Sequence, residues 1–481
     1  MSTWQPPAGG FWEGRWRDGA RSMTVHDPED GRVVGEVVDA TAEETRAAIG
    51  YLVEHWAPVS WPLWQRRESL ERAARLLSER AEQLAAVVAA EGCKTIAEAR
   101  REAARAAETL AVCARSADEL EGGTVPFGDT PRGTGFVGWW TREPIGLVAA
   151  ITPFNDPLNL VAHKLGPALL AGNAVVLKPA QQTPLSGFAL AALLLECGVP
   201  GSHLAVLAGH EVGPALVADP RVDVVSFTGG PTTADRIAAA GPARKLLMEL
   251  GGNNAVIACD DADPARVAEA VVDGAFGVAG QNCLSVQRVF VAGAIYEEVL
   301  ARVVDGAKGL VVGSKQDPTT DVGPMISEAE ARRVVTWVSE AVAAGATLHT
   351  GGERTGSFVS PAVLTGVPRD ARLRQQEVFG PVVVLEPFDD VRSAVAAVNE
   401  VDTGLQAGVF TDSIDLALAI ASELRVGAVM INESSDVRID AMPFGGFKRS
   451  GIGREGLRSA LRELSEPKIV AVRRTDPLGG R

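Results

Sequence analysis

The chain has 481 residues, 46% of them hydrophobic and 22% charged, with a formal net charge of −15. That length exceeds one small core, so two or three domains are expected. The acidic balance excludes a nucleic-acid or anionic-membrane partner, because each needs a basic surface.

Residues 1–10 show no basic segment followed by an apolar run, so no signal peptide is expected. Helical periodicity then dominates 41–120, where 64–77 and 97–120 read as surface helices with one apolar face. Residues 121–135 are rich in Gly and Pro and read as a loop, and 136–141 with 143–151 reads as a strand pair. From Leu147 strands and helices alternate: strands 147–151, 174–177, 204–208 and 222–227, each followed by a helix, at 159–171, 185–197, 212–218 and 233–240. The strands are short and apolar throughout, as strands buried on both faces are. No membrane span is expected, since the apolar stretch 158–170 is broken by His163, Lys164, Gly166 and Pro167. A second series follows Gly252, with strands 254–258, 287–291, 382–386, 407–411 and 428–432 and helices 264–276, 295–306 and 329–343. The pattern predicts an α/β protein of two doubly wound domains, with ligands at the C-terminal ends of the strands. The end, 467–473, reads as a strand without a local partner, suited to pairing with another subunit.

Chemistry is concentrated in a few turns. Gly280-Gln281-Asn282-Cys283 puts a thiol in a small polar turn before a strand, and Glu249 ends an apolar run. A thiol attacks a carbonyl and holds the product as a thioester, and a carboxylate activates the water that releases it. Cys113 and Cys197 lie in apolar helical contexts and Cys259 ends a strand, the setting of core cysteines. The five cysteines form no CxxC and no Cys/His cluster, so neither a metal site nor a disulfide framework is expected, and a reducing cytoplasm suits a free thiol. Asn155, between Pro153 and Pro157, presents an amide in a fixed direction and suits an oxyanion donor, though a plain Pro-Asn loop has the same pattern. Phe227-Thr228-Gly229-Gly230 ends a strand where a helix begins, as a pyrophosphate cradle or an ordinary β-α turn does. Lys178 at a strand end suits a ribose or phosphate, or simply solvent. The GxGxxG match at 451–456 follows no strand and is rejected as a cofactor loop.

Together these stretches resemble the aldehyde dehydrogenase superfamily over nearly the whole chain. The resemblance is carried in order by Pro153-Phe154-Asn155-Asp156-Pro157, Lys178-Pro179-Ala180-Gln181, Phe227-Thr228-Gly229-Gly230, Glu249-Leu250-Gly251-Gly252, Gly280-Gln281-Asn282-Cys283, Glu377-Val378-Phe379-Gly380-Pro381 and Pro443-Phe444-Gly445-Gly446. Lactaldehyde, semialdehyde and phosphonate-aldehyde dehydrogenases are the members it most resembles. It implies Cys283 as nucleophile, Glu249 as general base and Asn155 as oxyanion donor, with NAD or NADP as cofactor. Lys178 and Gln181 would meet the adenosine ribose, Gly229 and Gly230 the pyrophosphate, Glu377 the nicotinamide ribose and Phe379 the nicotinamide. Ile151, Thr152, Pro153, Gly209, Gly213, Phe227, Leu250 and Gly251 would complete the cofactor site. The implied fold has a cofactor domain (1–123 and 144–250), a catalytic domain (251–440) and an oligomerisation flap (124–143 and 457–481), in a homodimer or homotetramer.

Two departures bear on specificity. Gln181 stands where many NAD-preferring relatives carry Glu, and a neutral amide does not repel a 2′-phosphate, so NADP is expected to be tolerated. Asp156, Asn159, His163, Arg438, Arg105 and Phe444 would line a polar pocket for a small aldehyde bearing an anionic or hydroxyl group; alternatively Arg438 pairs with Asp156 or Asp436 and only shapes the tunnel. Release of the acyl group to coenzyme A is the enzymatic alternative, disfavoured by Glu249. A non-catalytic dinucleotide-binding or structural protein is the other, disfavoured by Cys283, Glu249 and Asn155 together.

Overall fold

The computed structural model describes residues 6–475. Two large sheets carry the molecule. In the first, the parallel strands run Leu204–Val206, Ala174–Lys178, Leu147–Ile151, Val224–Thr228, Lys245–Glu249. In chain order this is third, second, first, fourth, fifth. The order therefore reverses between Leu147–Ile151 and Val224–Thr228, and a crevice opens beyond the carboxyl ends of the strands there. Antiparallel strands close both edges, Gly10–Trp12 with Arg15–Arg17 on one side and Gly451–Ile452 on the other. The second sheet places Asn254–Ala258 between Val286–Ala292 and Gln406–Phe410, all parallel, with Ala428–Ile431 at its edge.

Most expected strands and helices form within a residue or two of their expected bounds; Leu147–Ile151, Val212–Ala218, Asn254–Ala258 and Pro264–Phe276 coincide with them. Two expectations are corrected. Residues 136–151 are not a strand pair: Phe136–Pro144 is one strand, and Leu147–Ile151 belongs to the first sheet. The last strand, Ser465–Arg473, does have a partner in its own chain, pairing with Phe136–Pro144 from Ser465 opposite Pro144 to Arg473 opposite Phe136. It still forms one edge of its three-stranded sheet, and Ile469 and Val472 are exposed there. Within the segment expected as part of the flap, Leu457, Leu461 and Leu464 pack into the core of the first sheet. Residues 476–481 of that expected segment lie outside the described residues.

The helix Ile96–Arg115 begins at a capping box, Thr95 with Glu98. Its residues Glu98, Glu102, Arg105 and Thr109 recur at spacings of four, three and four, which places them on one face. That face turns inward, toward the loop after Ile151, and Glu98, Glu102 and Thr109 are buried. No helix among the described residues is long and apolar enough to cross a membrane.

Candidate active site

A cavity of about 890 Å³ lies at the reversal point. Of the residues singled out from sequence, its wall contains Ile151, Thr152, Pro153, Asn155, Lys178, Gln181, Gly213, Phe227, Gly229, Gly230, Glu249, Leu250, Gly251, Cys283, Glu377, Phe379, Arg438 and Phe444. Residues from both sheets thus meet in one space.

The turn that delivers Cys283 is wound against the usual hand. Val278, Ala279 and Gly280 have φ of 53°, 52° and 67°. A β-branched residue rarely adopts that region, and it does so only where its surroundings enforce it. Glu98 accepts from the Val278 N–H at 2.7 Å. Gln281 is fully buried. Its amide donates to the Val278 and Pro324 carbonyls, and its carbonyl oxygen accepts from Ile326 N–H. Gly280 can only be glycine, because a Cβ there would overlap the Gly380 carbonyl. Beyond the turn, Asn254 donates to the Cys283 carbonyl at 2.7 Å. Burial holds the Cys283 thiol well above its ordinary range, Glu377 adds to the effect and the Arg438 charge opposes it.

Glu249, 4% exposed, ends its strand, and its Oε2 has no hydrogen-bond partner among the described residues. Burial, and next the negative charge of Glu455, push its pKa well up. Glu455 goes the other way, down to about 2 despite its burial, because the cations Lys164 and Arg438 favour its charged form. Lys164 Nζ lies 2.9 Å from Glu455 Oε1, and Arg438 3.5 Å from Oε2. Two neighbouring carboxylates are thereby set apart, one poised to carry a proton and one fixed as an anion. Arg438 stacks over Phe444, 3.9 Å from the ring centroid, and its Nε has no hydrogen-bond partner among the described residues.

The far part of the wall fits a dinucleotide. A Cβ at Gly230 would meet nothing within 4 Å, leaving open space at the start of the helix Pro231–Ala240. A Cβ at Gly251 would overlap the Glu377 carboxylate, whose Oε1 accepts from Gly252 N–H at 3.1 Å. Burial raises Glu377 to about 7. Lys178 is lowered to about 8 by burial and donates to the Pro179 carbonyl, so no carboxylate competes for its ammonium among the described residues. Phe379, at φ 44°, meets Phe154 edge-on at 5.8 Å.

Five expected site residues lie outside this wall. Gly209 faces the backbone of Ala40, where a Cβ would come within 2.8 Å of Ala40 N and O. Asp156 pairs with Lys94, which also binds Glu102 at 2.7 Å. Asn159 accepts from Thr109 and is buried. His163 contacts Asp440 at 3.2 Å, and Arg105 binds the same carboxylate at 2.9 Å. Apart from Gly209, these residues belong to one polar layer behind the cavity, in which Asn159 and His163 are buried and Asp156 and Arg105 partly exposed. Arg438 does not pair with Asp156 or Asp436 either; its carboxylate neighbours are Glu455 and, at 4.0 Å, Asp440. Glu455 was missed by sequence reasoning although it lies inside the rejected GxGxxG match. Lys164 was noted only as an interruption of an apolar stretch.

Residues 16–470 match the aldehyde dehydrogenase family model. The chain is 42% identical to aspartate-semialdehyde dehydrogenase 1 of Pseudomonas canavaninivorans, over 94% of this chain and 96% of that one. It is 40% identical to 3-sulfolactaldehyde dehydrogenase of Priestia aryabhattai, over 95% and 96%. The crystal structure of the NADP-dependent glyceraldehyde-3-phosphate dehydrogenase of Bacillus halodurans, complexed with NADP, superposes with a TM-score of 0.94 at 34% identity, covering 98% of this chain and all of that one. With the fold, the cavity and these relatives in agreement, the chain belongs to the aldehyde dehydrogenase family, the NAD(P)-dependent oxidoreductases of aldehydes.

Proposed function

We propose that the cavity oxidises a small anionic aldehyde to its carboxylate in two covalent steps, with Cys283 as nucleophile and Glu249 as base. The observation that carries this reading is the meeting of Cys283, Glu249, Asn155 and the incompletely bonded Arg438 in one wall. The Cys283 sulfur adds to the aldehyde carbon, and the Asn155 amide with the Cys283 N–H receives the oxyanion. Bound nicotinamide dinucleotide supplies the hydride acceptor. Lys178 and Gln181 hold its adenosine end, and Glu377 and Phe379 its reacting end. Glu249 then takes a proton from water, the water oxygen attacks the thioester carbon, and the carboxylate leaves as the sulfur is released. The Glu455 anion supports this step by keeping the shared proton on Glu249 once it arrives.

Arg438 supports an anionic substrate because its guanidinium is only loosely satisfied by its neighbours. The names of the two curated relatives denote aldehydes bearing a carboxylate or a sulfonate. Arg438→Met should raise KM for 3-sulfolactaldehyde or a carboxylated aldehyde by ~10- to 100-fold, the worth of one charge-assisted hydrogen bond. KM for propanal should change by less than about threefold. Equal effects on both aldehydes would sink the assignment.

At the adenosine end, Gln181→Glu should lower kcat/KM for NADP by about tenfold or more and spare NAD, since the new carboxylate repels a 2′-phosphate. Wild-type enzyme that turned over with NAD and not with NADP would remove the premise.

The same reading places the enzyme in a reducing cytoplasm, where its five free cysteines stay reduced. It takes the first sheet with the helix Leu457–Glu463 as the cofactor domain, the second sheet as the catalytic domain, and the three-stranded sheet as the flap. The open edge of Ser465–Arg473, with Ile469 and Val472 exposed, supports assembly into a homodimer or homotetramer.

A further inference from the structure

Residues 434–440 cross the back of the nucleophile turn and are held there by the second sheet. The Gln406 side chain donates to the Ser435 carbonyl at 2.9 Å and to the Val437 carbonyl at 2.6 Å. The Ser435 hydroxyl donates to the Leu284 carbonyl at 2.9 Å. Asp436, between those anchored residues, accepts at Oδ1 from the Asn282 side-chain amide. Its own N–H donates to the Ser434 hydroxyl at 3.3 Å. On the other side, a Cβ at Gly274 would stand 3.3 Å from the Asp436 Cβ, so the helix Pro264–Phe276 leaves this carboxylate little room.

Asn282 bridges the nucleophile. Its Nδ2 is fixed by Asp436, and its Oδ1 accepts from the Leu284 N–H at 3.1 Å, so its side chain spans Cys283 from one neighbour to the next. The cavity wall holds Cys283 and Arg438, and Asp436 meets it through Asn282. The turn it braces contains three consecutive left-handed residues, which relax unless every side is held. Gln281 holds the near side through three hydrogen bonds; Asn282 holds the side that carries the sulfur.

We propose that Asp436 is a positioning residue for Cys283, acting through the Asn282 amide to keep the sulfur aimed at the aldehyde carbon and the oxyanion donors. The inference rests on Cys283 being the nucleophile. It requires an acceptor at position 436 and not a charge. Arg105, Asp156, Asp273 and Glu98 act on the Asp436 carboxylate electrostatically, and burial raises its pKa to about 7. Both protonation states keep an oxygen that accepts from Asn282.

The test compares D436A, D436N, N282A and N282A/D436A in the full-length enzyme, with kcat, KM, the rate of Cys283 alkylation by iodoacetamide and the fluorescence titration of NADPH. D436A should lower kcat by ~10- to 100-fold, the cost of misplacing a reacting atom by about 1 Å, with KM and NADPH affinity within about threefold of wild type. Its alkylation rate should also move away from wild type. D436N should recover most of the kcat, since its amide oxygen accepts the same bond. N282A should reproduce the D436A loss, and the double variant should be no worse than either. Losses that multiply in the double variant, or a D436N as impaired as D436A, overturn the proposal. If D436A does not fold, N282A and D436N still decide it. A C283A enzyme that kept its turnover would instead overturn the nucleophile assignment itself, independently of any result at Asp436.

Discussion

Glu249→Gln should stop turnover after one equivalent of reduced nicotinamide per active site. The Cys283 sulfur, the Asn155 amide and the cofactor wall all survive this change, so the aldehyde is still oxidised to the thioester. What is lost is the acceptor for the proton of the attacking water, since Gln has no basic oxygen. Steady-state kcat should fall by ~10²- to 10⁴-fold, the usual worth of a positioned general base. The burst at 340 nm should keep its amplitude, and intact-protein mass should show the acyl group on Cys283. A variant with undiminished steady-state rate would remove Glu249 from the chemistry. Loss of the burst as well would mean that Glu249 is also needed to take the thiol proton. The pH profile has a definite sign. Burial and Glu455 raise the Glu249 pKa, and only its deprotonated form activates water. Hydrolysis in the wild type therefore rises with pH through that elevated pKa and fades below it. The Gln variant should lack this limb.

How far the sequence carries this picture depends on the kind of residue. Cys283, Glu249, Asn155 and the glycines at 229, 230 and 251 stand in turns at strand ends, where local composition is unusual and the backbone requirement is strict. A Cβ at Gly280 would run into the Gly380 backbone, so the residue type itself records the geometry. The polar layer behind the cavity left no such mark. Glu98, Glu102, Arg105 and Thr109 belong to a helix whose charged residues read as a solvent face. Their burial depends on the loop after Ile151, which supplies Asp156 and the N–H groups of Leu158 and Asn159 that Glu102 accepts at 2.8 and 2.9 Å. Asp156, Asn159 and His163 were expected to line a polar pocket. Their contacts within the chain, Asp156 with Lys94, Asn159 with Thr109 and His163 with Asp440, join segments far apart in sequence, which no local pattern reports. Lys164 and Glu455 meet across 291 positions, a separation that no local pattern reports. The C-terminal strand was legible as a strand, and its partner, Phe136–Pro144, was not, for the same reason.

Cys283→Ala should abolish aldehyde oxidation, with kcat down by about 10⁴-fold or more, because no other group in the wall can form the bond to the aldehyde carbon. NADPH titration should give an affinity within about threefold of wild type, since the sulfur takes no part in holding the dinucleotide. Cys283→Ser should be nearly as inactive. The surroundings oppose an anion at this position: burial, Glu377, Asp156 behind the wall and Glu249 all raise the pKa of the group, and Arg438 opposes them. A thiol can still lose its proton under that load, and a hydroxyl, far less acidic to begin with, cannot. The same balance predicts the alkylation profile of the wild type. Its rate with iodoacetamide should keep rising with pH beyond about 8.5, where an ordinary thiol is half ionised. Arg438→Met removes the favourable charge and should push the rise further toward alkaline pH. A midpoint below that of an ordinary thiol in the free enzyme would mean that the wall stabilises the thiolate before the aldehyde arrives, and a serine in the same place would then deserve measurable activity.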